Sequence, residues 1–262
     1  MNSHRQITEE EIKKGPILTV EEESNGNIFQ KKQLKINAGG LIGGRGLNDG
    51  VVIFGQENSS NNNNNNNGNN NNNNKDFKCD FNLNFQEQLP YPYLFAIYYQ
   101  NDTKKFYIQA YKGQGVDVKI LFIKLAGDYI LPLRQKEIIS AGNVIFQISP
   151  IENNCMEITN LSIKDPLSNK RAFDPTKEKE VTIGRDKKCH FSFPENKSFS
   201  KVHTSFIYNE NSKEWVIQDG TVSKSSTNGT WVFGMHSFEI KDQMVVEILT
   251  SKVKFYLTKG EI

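Results

Sequence analysis

Three short polar clusters between Ile183 and Trp231 hold the residues of this chain that could do chemistry. They are Ile183-Gly184-Arg185, Ser200-Lys201-Val202-His203 and Ser226-Thr227-Asn228-Gly229-Thr230-Trp231. An arginine that follows a glycine at a strand end can grip phosphate oxygens as a fork, which a lysine cannot do. Ser200 and Thr227 each offer a hydroxyl, and loop N–H groups can add further donors. Asn228 carries a donor and an acceptor, so it can pair with the main chain of an extended peptide. Gly229 allows the close turn that follows. No general base, metal-ligand cluster or activated nucleophile accompanies these groups. The inventory suits holding a phosphate, not cleaving or moving one. The expectation is a non-enzymatic binding module with no cofactor and no metal.

Taken singly, each cluster has an ordinary explanation. Asn-Gly is a common hairpin turn, arginine after glycine is frequent, and an isolated histidine in a strand is more often structural than catalytic or metal-bound. The elements around the clusters make them worth joining. Val181 and Ile183 share a face, as do Phe191 and Phe193, then Trp215 and Ile217. Met244, Val246 and Ile248 follow, and finally Val253, Phe255 and Leu257. Short alternating strands with polar turns between them predict an antiparallel β-sandwich that gathers its loops at one end.

Length and charge narrow the classes. At 262 residues the chain can form one large domain or two of ordinary size. A net charge of +2 gives no global basic field, so nucleic acid is not an expected partner. Cys79, Cys155 and Cys189 stand singly, which suits free thiols in a reducing compartment. The polar N-terminus is no secretory signal, and no apolar run approaches the ~20 residues that span a bilayer. An intracellular protein, nuclear or cytoplasmic and without membrane contact, is expected.

In order, Gly184-Arg185, Ser200-x-x-His203, Trp215-x-Ile217-x-Asp219 and Ser226-x-Asn228-Gly229-Thr230-Trp231 closely resemble the forkhead-associated (FHA) domain. The resemblance covers roughly residues 155–262. It implies an all-β sandwich that binds phosphothreonine-containing proteins through loops at one end. Arg185, Ser200 and Thr227 would contact the phosphate, Asn228 the peptide backbone, and Lys201 is a further contact. Gly184, His203, Gly229 and Trp231 would support the site, the histidine by bracing the loops through hydrogen bonds. The preference for threonine over serine is likewise implied by the resemblance, a discrimination of ~1 kcal/mol for one buried methyl group. One departure is local: Gly220 to Ser225 separate Asp219 from Ser226, a longer interval than the family's. That length leaves the contacts of Thr227 open. Lys187, Lys188, Lys197, Lys201 and Lys224 lie on or beside the loops, and would favour an acidic, phosphorylated partner over serving only as a solvated face.

The first half repeats the second in outline. Phe106-x-Ile108 precedes Val144-x-Phe146 by the interval that separates Trp215-x-Ile217 from Val253-x-Phe255. Glu137-Ile138-Ile139 is matched to Glu247-Ile248-Leu249, and Gly44-Arg45 to Gly184-Arg185. Two tandem sandwiches, the first degenerate, are therefore expected in preference to one large barrel. Residues 1–27 form a polar N-terminal segment. Residues 28–151 form the divergent sandwich, interrupted at about 58–75 by an asparagine-rich insertion that cannot offset its ordering entropy. Residues 155–262 form the FHA domain. In the first copy Pro90 and Tyr93 stand for Ser200 and His203, and Gly115-Val116-Asp117 for Asn228-Gly229-Thr230, so it should be silent toward phosphate. Arg45 reads as a surface arginine in a glycine-rich turn. The glycines around it lack the lysine and the following helix of a nucleotide loop. The competing reading is a structural or oligomerising sandwich pair whose contacts ignore phosphate.

Overall fold

The structure, a computed structural model, describes residues 12, 14–22, 33–38, 40–41, 51–55, 81–82, 93–110, 121–125, 130–163, 169–234, 236–248 and 251–259. The elements are β1 (Ile17–Glu22), β2 (Gln33–Asn37), β3 (Gly40–Leu41), β4 (Val51–Gly55), β5 (Phe81–Asn82), β6 (Tyr93–Gln100) and β7 (Lys105–Ala110). Then come β8 (Leu121–Leu125), β9 (Leu131–Pro132), β10 (Glu137–Ala141) and β11 (Val144–Pro150), followed by a 3-10 turn at Glu152–Asn154. The remainder are β12 (Met156–Asn160), β13 (Lys170–Phe173), β14 (Glu180–Gly184), β15 (Phe191–Ser192), β16 (Thr204–Asn209) and β17 (Glu214–Asp219). The last four are β18 (Thr230–Phe233), β19 (Phe238–Glu239), β20 (Val245–Ile248) and β21 (Ser251–Thr258). No described helix is long and apolar enough to cross a membrane. The all-β, mainly antiparallel architecture agrees with the patterning.

The chain divides into two compact units, one of residues 122–233 and one of residues 1–121 with 234–262. In the 122–233 unit one sheet runs β13-β12-β11-β10-β18-β8 and the other β15-β14-β16-β17-β9. Strand alternation supplies the core: Ile139, Phe146, Ile148 and Ile158 are fully buried on the first sheet, and Val181, Ile183, Phe206 and Ile217 on the second. Phe146 meets Phe191 of the facing sheet and Phe193 just beyond it, with ring centroids 5.9 and 6.0 Å apart. Each such side chain contributes roughly 1.5–3 kcal/mol by leaving water. Strand β14 pairs antiparallel with β16 and parallel with the short β15, so the segment from Arg185 to His190 crosses the end of the sheet.

The unit of residues 1–121 and 234–262 has the same pairing scheme. Here β1 lies between β2 and β21, β20 adds to β21, and the second sheet is β19-β7-β6-β4-β5. Strand β4 pairs antiparallel with β6 and parallel with β5. Phe54 stacks on Phe95 at 4.5 Å across that pair.

Several expectations change in this light. The chain does not divide at 150–154. Strands β10 and β11 pair directly with β18 and β12 and so belong with residues 155–233, while β19 to β21 belong with the first 121 residues. The polar segment set at 1–27 contains β1, whose Leu18 and Val20 are core residues and whose six residues all pair with β21. The counterpart of Gly184-Arg185 is not Gly44-Arg45. Ile183 pairs with Phe191 and Thr204, and Phe54 pairs with Phe81 and Phe95, so Gly55 takes the place of Gly184. By the same registers Leu94 takes the place of His203 and Ala110 that of Asp219. Glu137 corresponds to Met244, not Glu247, because Ala141 and Ile248 occupy matching places beside their hairpin turns. Arg45, Pro90, Gly115–Asp117, Cys79 and the asparagine tract lie outside the described residues.

Candidate functional site

The loops after β14, before β16 and before β18 meet at one end of the 122–233 unit. Their backbones are joined first. Arg185 donates its N–H to the Ser200 carbonyl at 2.9 Å, and Asp186 donates to the Lys201 carbonyl at 3.0 Å. A side chain at position 184 would collide with that same Lys201 carbonyl, at 2.2 Å from its Cβ. Gly184 is therefore required by close approach of two backbones, and strand β14 can deliver Arg185 to the rim only with glycine there. The loop is shaped by Asp186, whose Oδ1 accepts the Lys188 N–H at 3.0 Å. The buried Cys189 thiol donates to the Lys201 carbonyl at 3.3 Å, and burial pushes its pKa up, so it stays a neutral thiol.

His203 ties the second loop to the third. It is fully buried. Its Nδ1 accepts the Ser200 N–H at 3.1 Å, and its Nε2 lies 3.0 Å from the Gly229 carbonyl. These two contacts require a neutral ring with its proton on Nε2, donating to Gly229. Desolvation lowers the pKa of His203, which keeps it in that neutral form. The Gly142 amide nitrogen, 3.2 Å from Nε2, is then in contact with it but cannot donate to it, because Nε2 already carries the proton. The Phe199 ring packs edge-on against the imidazole at 5.1 Å.

The third loop hangs from Asp219. Its carboxylate accepts the Ser226 N–H at 3.0 Å, the Ser226 hydroxyl at 2.6 Å and the Thr230 hydroxyl at 3.0 Å. Ser226 Oγ in turn accepts the Gly229 N–H at 2.8 Å. Residues 220–225 therefore form a side excursion, closed at its base by Asp219 and Ser226 and pinched by the Thr221–Lys224 bridge. The extra length does not displace Thr227, whose N–H donates to Ser200 Oγ at 3.0 Å. Asn228 Nδ2 donates to the Ser198 carbonyl at 2.9 Å, and Trp231 Nε1 donates to the Asn228 carbonyl at 3.1 Å. Gly229 has a φ of +82°, the left-handed region, and a Cβ there would fall 2.3 Å from Cε of Lys124. Lys124 itself lies over the Trp231 ring, 5.8 Å from its centroid.

The structure thus joins the loops of Arg185, Ser200, Thr227 and Asn228 at one rim. Arg185, Lys201, Thr227 and Asn228 are exposed there, whereas His203 and Gly229 are buried beneath them and Gly184 is buried at the strand end. Lys187, Lys188, Lys197 and Lys224 are exposed as well. Ser226, Thr204, Ser205 and Thr230 build the site without a role that the sequence pattern assigns, and Asp219 stands in that pattern only as part of a motif. Thr204 Oγ1 and Thr230 Oγ1 are 2.8 Å apart, and Ser205 Oγ donates to the Gly220 carbonyl at 2.6 Å. The available signal was polar side chains at positions that alternation assigns to the core. Among the described residues no group of three His, Cys, Asp or Glu side chains could hold a metal ion.

Comparison with known proteins converges on this rim. A family model described as the FHA domain matches residues 181–248. The E3 ubiquitin-protein ligase CHFR of Xenopus laevis is 33% identical over 75 residues, which is 29% of this chain and 12% of that protein. No solved structure gives a significant match. The matched residues hold all three loops and the buried network beneath them, and over this segment the chain is similar to the forkhead-associated domain.

Proposed function

We propose that the rim of the 122–233 unit binds phosphothreonine in an extended peptide, and that the chain acts as a non-enzymatic adaptor in kinase-dependent signalling. One observation carries this reading. A guanidinium, two hydroxyl-bearing loops and a carboxamide are held together at one rim by hydrogen bonds that do not use the Arg185 side chain. Arg185 would fork onto the phosphate oxygens, with the Ser200 and Thr227 hydroxyls and Lys201 completing the shell. Asn228 would pair with the peptide main chain. The exposed lysines at positions 187, 188, 197, 201 and 224 favour acidic residues beside the phosphothreonine.

An oriented phosphothreonine-peptide library, followed by calorimetry on the full chain, tests the reading. Arg185→Ala should weaken binding at least ~30-fold, the loss expected for one charged hydrogen-bonding partner. Its Tm should not move, because the side chain is exposed. Arg45→Ala should leave affinity unchanged, and acidic peptides should outbind neutral ones of equal length. Equal capture of phosphorylated and dephosphorylated ligand would instead favour a structural or oligomerising sandwich.

We also infer that the two units are copies of one strand order, the first divergent and silent toward phosphate. The matched parallel pairs β4·β5 and β14·β15 support this, as do the matching hairpins β6–β7 and β16–β17. On this reading each copy keeps its early strands and takes its final ones from the other half of the sequence. Strand β7 is flanked by β19, and β17 by β9.

A further inference from the structure

We infer that the turn Gly142-Asn143, between β10 and β11, is a positioning element for the loop that carries Ser198 and Ser200. The inference rests on the phosphopeptide reading of that rim and extends it to residues outside the family match of 181–248. Three contacts converge on this one turn. Asn196 Nδ2 donates to Asn143 Oδ1 at 2.6 Å. The Phe199 ring covers Gly142 closely enough that an added Cβ would lie 3.0 Å from it, and Gly142 has a φ of +61°. The Gly142 amide nitrogen sits 3.2 Å from His203 Nε2, the nitrogen that holds Gly229.

The effect reaches the ligand-facing groups through Asn196. Its Oδ1 accepts the Ser198 N–H at 3.0 Å, and its carbonyl accepts the Phe199 N–H at 3.1 Å. These bonds fold residues 196–199 into a turn and aim the Ser198 carbonyl at Asn228 Nδ2, 2.9 Å away. Asn143 therefore fixes the orientation of Asn196, Asn196 fixes Ser198, and Ser198 fixes the carboxamide proposed to read the peptide backbone. A network of this kind couples its members, so their removal should not be additive.

The test uses the full chain, with the tightest peptide from the oriented phosphothreonine library. Asn143→Ala and Asn196→Ala should each weaken binding about threefold to tenfold, the size of one neutral hydrogen bond. The double variant should be no weaker than the worse single one. Amide hydrogen exchange at Ser198 and Ser200 should quicken in Asn143→Ala while that of β16 and β17 stays as in the native chain, which a general loss of stability would not produce. Unchanged affinity and exchange in Asn143→Ala, or additive losses in the double variant, would overturn the inference. If the native chain shows no phosphate-dependent binding, the phosphopeptide reading fails, and the assignment of this turn to a binding site fails with it. If Arg185→Ala abolishes binding while Asn143→Ala does not weaken it, the turn alone is excluded.

Discussion

Two units with a similar strand pairing differ in the residues they bury at matching register positions. Under the rim of the 122–233 unit, His203, Thr204, Ser205, Asp219 and Thr230 are all buried and all hydrogen-bonded. At the places that the registers match to His203, Thr204, Ser205 and Asp219, the other unit has Leu94, Phe95, Ala96 and Ala110, also buried. The fold tolerates either set, so its own stability does not call for the polar one. A buried polar cluster is costly unless every member is paired, and apolar residues of similar volume would hold two sheets together as well. What the polar set adds is direction. Asp219 and His203 each hold a loop backbone in one place, which leucine and alanine cannot do. The connections differ in length: six residues, 185–190, join β14 to β15, whereas residues 56–80, with the asparagine tract, separate β4 from β5 in the sequence.

The comparison can be broken most severely at Asp219. Asp219→Ala strips Ser226 and Thr230 of their shared acceptor and should cost about 3 kcal/mol in urea unfolding. Adding Thr204→Val and Thr230→Val, which moves the cluster toward the other unit's apolar composition, should recover part of that stability but none of the peptide affinity. Recovery of both would mean the network does not orient the site.

A smaller effect concerns Glu137, which faces the core where Met244 stands in the other unit. Burial pushes its carboxyl pKa from 4.5 up to about 8. The folded chain therefore holds a proton that the unfolded chain releases above pH 4.5. That contribution to stability is full below pH 4.5 and is lost as the pH rises through about 8. Glu137→Met should remove the slope and stabilise the protein at pH 8 by on the order of 2 kcal/mol. A Tm that responds to pH alike in both proteins would contradict this.

His203 should give the smallest effect, and of opposite sign. Burial lowers its pKa below the ordinary 6.5, so the unfolded chain binds the extra proton first. Its contribution is present above pH 6.5 and declines as the pH falls through the lowered value. Protonation at Nδ1 also removes the acceptor of the Ser200 N–H, so phosphopeptide affinity should weaken over the same acid range. His203→Leu, the residue type of the other unit, should lose the acid-side slope in denaturant titrations taken below pH 6.5. Persistence of the slope would place the titrating group elsewhere.

Local pattern alone was enough for the strands and for the loop residues at the rim. Alternating Val181 and Ile183, or Trp215 and Ile217, can bury one face only as strands, and glycine, asparagine and serine punctuate them. Arg185, Ser200, Thr227 and Asn228 were legible because short loops must carry the polar groups that strands exclude. Strand partners were not legible. Periodicity says which face of β10 or β11 is buried but is silent on its neighbour, because many apolar strands present equivalent edges. Only the tertiary structure assigned β10 and β11 to β18 and β12, and β19 to β21 to the opening residues of the chain. It alone brought Gly142 and Asn143 under Phe199 and Asn196. Contacts across such sequence separations follow from which sheets close on each other, and no local run of residues encodes that choice.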